Sequence, residues 1–144
     1  MARGFADATA DRAACPCGSG AKLGSCCGPF HQGLMKAQTA EQLMRSRYSA
    51  YALGEIEYLI ASHPEPEISI QKRRRELRIN SRQIRWIELE ILAVECGGIE
   101  DCQGTVQFAA HFIAAGQRRC LQETSLFQRR DGQLSGDWLY IRAL

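Results

Sequence analysis

The sequence has no long apolar run: nothing in its 144 residues approaches the roughly 20 consecutive apolar positions of a helical membrane span, so no membrane contact is expected. Charge of one sign is also scarce. Eighteen Lys and Arg against sixteen Asp and Glu leave a formal charge of +2 and a pI near 8.2, too mild to attract a polyanion without a basic face or stripe. The first fourteen residues lack a secretory apolar stretch, being interrupted by Arg3, Asp7, Asp11 and Arg12. The expected setting is the cytoplasm, where thiols stay reduced.

What the chain does have is cysteine. Seven is an odd count that a fully paired disulfide framework would not leave, and four of the seven fall within "CPCGSGAKLGSCC", residues 15 to 27. Cys15, Cys17, Cys26 and Cys27 give C-x-C-x8-C-C, in which glycines 18, 20 and 24 and Pro16 forbid a long helix or a central strand. The stretch reads as tight turns needing an external fix. Four thiolates can close a tetrahedral zinc site with Zn–S near ~2.3 Å, and backbone N–H groups of glycine turns can face the sulfurs. Buried thiols acting as small hydrophobes have no reason to crowd a glycine-rich stretch, so one structural Zn²⁺ is expected ahead of free thiols or a redox dithiol.

The rest of the chain changes character at about Thr39. Thr39 with Gln42 three residues on starts a helix, Leu43, Met44, Arg47, Tyr48, Tyr51 and Ala52 keep helical spacing, and Gly54 stops it. Glu55 to Ser62 fits a second helix, closed by His63-Pro64-Glu65-Pro66. Gln71 to Leu77 is either a third helix or a mobile loop, and the conformation of residues 64–83 stays open; the "KRRR" at 72 to 75 reads as a solvated face.

Beyond residue 84 the period becomes two. Ile87, Leu89 and Ile91 alternate with Glu88 and Glu90, and Val106, Phe108, Ala110 and Phe112 alternate with Thr105, Gln107 and His111. Gly97-Gly98, Gly116-Gln117 and Asp131-Gly132 mark turns, and Trp138 to Arg142 forms a last strand. Helices followed by antiparallel strands predict an α+β domain with helices on one face of a curved sheet. Cys96, Cys102 and Cys120 are expected to be buried packing residues.

"CPCGSGAKLGSCCG" resembles the SEC-C zinc motif, and "CCGPFHQG" followed by "TAEQLMRSRYSAYALGEIEYLI" is similar to the YchJ family of small bacterial proteins. The resemblance covers most of the chain. It implies a zinc knuckle at 15–33 with Cys15, Cys17, Cys26 and Cys27 as ligands and a nuclear-transport-factor-2-like cone at 34–144, while residues 1–14, small, polar and without an apolar period, are expected to form a flexible N-terminus. Two departures matter. Many SEC-C motifs carry several lysines before the Cys pair, where this chain has Lys22, Leu23, Gly24 and Ser25, and the second, C-terminal motif of some family members has no counterpart up to Leu144.

A cone of this kind implies a pocket, and Arg45, Tyr48, His63, Trp86, His111 and Glu123 are its candidate lining. Glu123 is expected to pair with an arginine such as Arg45 or Arg47 rather than to act as a general base. Fold alone assigns no activity. Two readings follow: a non-enzymatic binding protein whose knuckle docks a protein or nucleic-acid partner while the cone binds a small ligand or forms a homodimer, and a small-molecule enzyme using Glu123 or a histidine as acid/base. The exposed sheet face, with Glu88, Glu90, Gln107, Arg119 and Gln122, offers no apolar patch to decide the dimer.

Overall fold

The computed structural model describes residues 11–144, and its elements follow the order in which the period of the sequence changes. A four-residue helix, α1 (Gly28–His31), closes the cysteine region; then come α2 (Ala40–Leu53), α3 (Ile56–Ala61) and α4 (Ile70–Gln83). Four strands complete the chain: β1 (Ile84–Cys96), β2 (Gln103–Ala114), β3 (Gln117–Arg129) and β4 (Trp138–Ala143). They form one antiparallel meander in the order β1-β2-β3-β4.

Helix α2 is the hub. Thr39 caps it by accepting from the Gln42 amide at 3.1 Å, Gln42 Oε1 accepts in turn from the Gln38 amide, and Gly54 ends it in the left-handed conformation at φ +74°. Its buried residues run around most of the helix, because it has neighbours on several sides. Ala40, Leu43, Met44 and Tyr48 join Leu89, Val106, Phe108, Ala110, Phe127 and Trp138 of the sheet in one core. Ser49 is small enough for the cysteine region to approach closely, its hydroxyl 3.4 Å from Cys15 Sγ, while Ser46 Oγ bonds the Leu43 carbonyl and the Tyr58 hydroxyl of α3. Gly97 shows how tight the sheet end is: a Cβ there would meet Ala40 Cβ at 2.7 Å, and its φ of +75° favours glycine independently.

Residues 70–83 resolve as a helix that runs straight into β1, with Ser69 accepting from the Lys72 amide as its cap. The basic run is not uniformly solvated. Arg73 is buried, donates to the carbonyls of Ile60 and His63 and pairs with Glu65 at 3.1 Å, while Arg74 pairs with Glu57 at 2.7 Å. Arg129 ties the far end of the sheet together, donating to the carbonyls of Asp101, Ile99, Leu134 and Gly136 and lying over the Trp138 ring.

Strand β1 departs from simple alternation. Its register with β2 shifts between Trp86 and Glu88, so Trp86 pairs with Phe112 and Leu89 with Ala110 while Ile87 is left in the bulge, 39% exposed. The expected buried row Ile87-Leu89-Ile91 is therefore replaced by Trp86-Leu89-Ile91. Arg119 likewise sits opposite Phe112, on the cavity side rather than on the outer face. Cys96 and Cys120 are exposed and Cys102 is half-buried, against the expectation of packing residues: Cys96 ends an edge strand at φ +54°, and Cys120 pairs with outward-facing His111. Of the expected frayed terminus, residues 1–10 lie outside the described residues. Ala13 and Ala14 are bonded into the cysteine region, through Leu23 N to Ala13 O at 2.8 Å and an Ala14–Lys22 bridge.

Candidate functional site

The four-thiol cluster is built by two turns. Cys15 N donates to Ala21 O at 2.9 Å and Gly18 N to Cys15 O at 3.2 Å, curling the first pair of cysteines; Cys26 N donates to Leu23 O at 3.1 Å, presenting the second pair. Gly28 follows because a Cβ there would meet the Leu23 carbonyl oxygen at 2.8 Å. The result brings all four Sγ atoms within 4.8 Å of one another. Cys17 and Cys26 are 3.6 Å apart and Cys26 and Cys27 3.9 Å, which brackets the edge of about 3.8 Å of a tetrahedron with arms of about 2.3 Å. The donor set and spacing fit a four-coordinate metal ion.

Electrostatics point the same way. Thiol hydrogen bonds from Cys15 and then Cys27 hold Cys17 far below the ordinary thiol range, and the same network, led by Cys15, pushes Cys27 up because it keeps its proton. Burial raises Cys26. Cys17 thus gives up its proton easily while Cys26 and Cys27 hold theirs, a conflict that a divalent cation resolves. Ser19 Oγ lies 3.1 Å from Cys26 Sγ, Ser49 Oγ 3.4 Å from Cys15 Sγ, and Arg45 Nη1 donates to the Cys17 carbonyl at 2.8 Å. His31 is committed elsewhere, donating to Ser46 O at 2.8 Å with its ring edge on Tyr58.

Between α2, α4 and the concave face of the sheet lies a cavity of about 350 Å³. Its wall is aromatic. Trp86 packs against Tyr48, Tyr51 and Phe112 with ring centroids 5.1 to 5.9 Å apart, and Phe108 and Phe127 continue the apolar lining. Polar groups converge at the other side. Glu123 Oε2 accepts from Ser125 Oγ at 2.5 Å and from the Tyr140 hydroxyl at 3.2 Å. Burial, reinforced by the Glu123 charge, pushes the Tyr140 phenol up to about 12, so it stays a donor near neutral pH; burial does the same for Tyr48. Arg47, 6% exposed, lies over the Tyr140 ring at 5.0 Å and donates from Nη1 to Leu59 O and Ser62 Oγ.

The candidate lining divides three ways. Tyr48, Trp86 and Glu123 border this cavity. Arg45 does not: it turns to the knuckle and to Glu41 at 2.9 Å. His63 borders a neighbouring cleft, donating from Nδ1 to Tyr140 O with Arg73 and Glu65 alongside, because the chain reverses there into two prolines. His111 faces out from the sheet, 2.7 Å from Glu90, since it alternates with inward Phe112. With Glu88 these two form a second, exposed group of metal-type side chains. Glu123 takes hydroxyl donors rather than the expected arginine. Arg47, Tyr51, Ser125 and Tyr140 join the lining beyond the expected set; the one sequence signal is a charge, Arg47, at four-residue spacing between buried Leu43 and half-buried Tyr51.

A cysteine-cluster motif seated on a helix-covered antiparallel sheet defines a class: small α+β proteins joining a SEC-C motif to a domain of the nuclear-transport-factor-2 type. Residues 13–29 match the model of the SEC-C motif and residues 39–143 that of the YchJ middle NTF2-like domain. The chain belongs to the YchJ family. It is 42% identical over 135 residues to a UPF0225 protein of Chromobacterium violaceum, covering 92% of this chain and 93% of the relative. A UPF0225 protein of Ralstonia nicotianae is 40% identical over 138 residues, with 93% and 92% covered. A SEC-C motif containing protein from Rhodopseudomonas palustris superposes with a TM-score of 0.70 at 32% identity, over 90% of this chain and 96% of that one. Another from Psychrobacter arcticus gives 0.74 at 24% identity over 93% and 83%, a likeness of fold.

Proposed function

We propose that this protein is a non-enzymatic ligand-binding protein in which Cys15, Cys17, Cys26 and Cys27 hold one structural Zn²⁺ and the cone captures a small molecule. The observation that carries the reading is the pairing of a closed four-sulfur set with a separate aromatic cavity. Four thiolates leave no open coordination position, so the metal stiffens the knuckle and takes no part in chemistry. The cavity, about 350 Å³ with apolar walls and a few convergent polar groups, has the size and make-up of a small-molecule site. Knuckle docking to nucleic acid gains little support, since Lys22 is the one Lys or Arg among residues 13 to 29. The enzyme alternative rests on Glu123, as His63 and His111 border other surfaces.

Elemental analysis of the reduced protein, with thiols titrated before and after chelation, tests the metal half. One zinc per chain and four thiols released by the chelator is the expected result. Absence of metal, with the cluster oxidising in pairs, would overturn it in favour of a redox element.

A further inference from the structure

The cation beneath the cavity has no counter-ion. Arg47 is almost fully buried, yet among the described residues no carboxylate lies within ion-pair distance of it. Both of its protein acceptors, Leu59 O and Ser62 Oγ, bond to Nη1. Nε and Nη2 therefore donate to no group among the described residues. Nor are they sealed off, because no fully buried side-chain nitrogen or oxygen of the described residues lacks a partner. These two N–H-bearing atoms thus touch open space, and the spaces Arg47 borders are the aromatic cavity and the adjoining cleft that shares Tyr51 and Asn80 with it. The adjoining cleft also carries Glu65, which is paired with Arg73 at 3.1 Å, and Glu76, neither of them within ion-pair distance of Arg47.

A buried guanidinium with a free edge in an aromatic-walled cavity is costly unless an anion meets it, and a planar carboxylate matches its fork with two parallel hydrogen bonds. The opposite pole is Glu123. Its Oε2 is used by Ser125 and Tyr140, whereas Oε1 has no donor among the described residues. The Tyr140 ring lies between the poles, with Arg47 over its face and Glu123 at its hydroxyl. A ligand spanning them needs an anion at one end, a hydrogen-bond donor at the other, and a flat body to fill the space against Trp86, Tyr48 and Phe108.

We infer that the cavity binds a small aromatic carboxylate carrying a hydroxyl or N–H donor at its far end, with the carboxylate on Arg47 Nε and Nη2 and the donor on Glu123 Oε1. The inference rests on the ligand-binding reading of the cone and names its ligand class. The site selects by charge at one end and by donor at the other, while the aromatic wall supplies the bulk of the contact.

The test is isothermal titration of the zinc-loaded full chain with 4-hydroxybenzoate, 4-hydroxyphenylacetate and indole-3-acetate, each paired with its carboxamide. The paired amides keep the shape and remove the charge, so no variant is needed for the main comparison. At least one acid binds tenfold or more tighter than its amide, and Arg47→Lys, which keeps charge but loses the fork, weakens that acid by a similar factor. Glu123→Gln weakens the 4-hydroxy acids severalfold relative to plain benzoate. Amides binding as well as acids overturn the inference. If no acid binds but neutral N-phenyl-1-naphthylamine does, the anion site is wrong and ligand capture stands; if neither binds, ligand capture fails with it.

Discussion

The knuckle and the cone hold themselves together by opposite means. Residues 13 to 29 bury Cys15, Cys17, Leu23 and Cys27 as their whole apolar cluster, far too little for a glycine-rich stretch to fold on hydrophobic burial alone. The cone buries Phe127, Val106, Trp138, Phe108 and Leu43 between a helix and a sheet. On the proposed zinc reading, one region is fastened by bonds to a point and the other by area. The difference teaches where each is vulnerable: the knuckle to chelation and acid, the cone to loss of volume.

The largest expected effect separates the two outright. Replacing Cys26 and Cys27 together by serine takes zinc from one equivalent to none and unfolds the knuckle, since structural zinc sites contribute roughly 10–16 kcal/mol of folding free energy. Amide protection measured by hydrogen exchange should vanish over residues 13–29 and persist in β2 and β3; collapse of both would merge the two regions into one cooperative unit. Phe127→Ala attacks from the other side. Deleting a fully buried ring costs about 3–5 kcal/mol in denaturant titration, with zinc stoichiometry unchanged below the unfolding transition.

Arg45→Ala probes the seam, where the guanidinium joins Cys17 O to α2. It should cost about 1 kcal/mol and speed thiol release by a chelator several-fold, with little change in the cone's melting temperature. Equal release rates would show the seam to be decorative. The smallest effect is a pH dependence confined to the cone. Burial is the main cause holding His63 below its ordinary range, so the unfolded chain takes up its proton first. That contribution to stability is complete above about pH 6.5 and is lost as pH falls through the lower, folded value. His63→Gln should flatten this part of the stability profile, measured under conditions where the zinc stays bound.

Much of this architecture was legible because local rules and tertiary packing agree. Thr39, Gln42 and Gly54 bound α2 by backbone hydrogen bonding alone, and the thiol spacing 15, 17, 26, 27 predicts a cluster because two short turns can only bring those sulfurs together. The failures have physical causes. Ile87 looked buried by alternation, but a bulge after Trp86 turns it out and puts an indole into the cavity wall. Periodicity sees neither bulges nor edges, so Cys96 and Cys120 looked like core. Residues 70–83 stayed open because a basic, weakly patterned helix is held by tertiary bonds, those of Arg73 and Arg74, rather than by an apolar stripe.

Pocket membership was the least legible feature. Arg45 and Arg47 are two positions apart on one helix, about 200° around its axis, so one reaches the knuckle and the other the cavity. Which arginine goes where depends on what packs against each face. The sequence by itself determined the element types outside residues 64–83, the thiol cluster and the family, because these rest on spacing along the chain. Only the tertiary structure decided that a buried cation lies over the face of Tyr140 and a carboxylate at its hydroxyl, because that juxtaposition joins α2 to β3 and β4 across more than seventy residues, and no local preference encodes it.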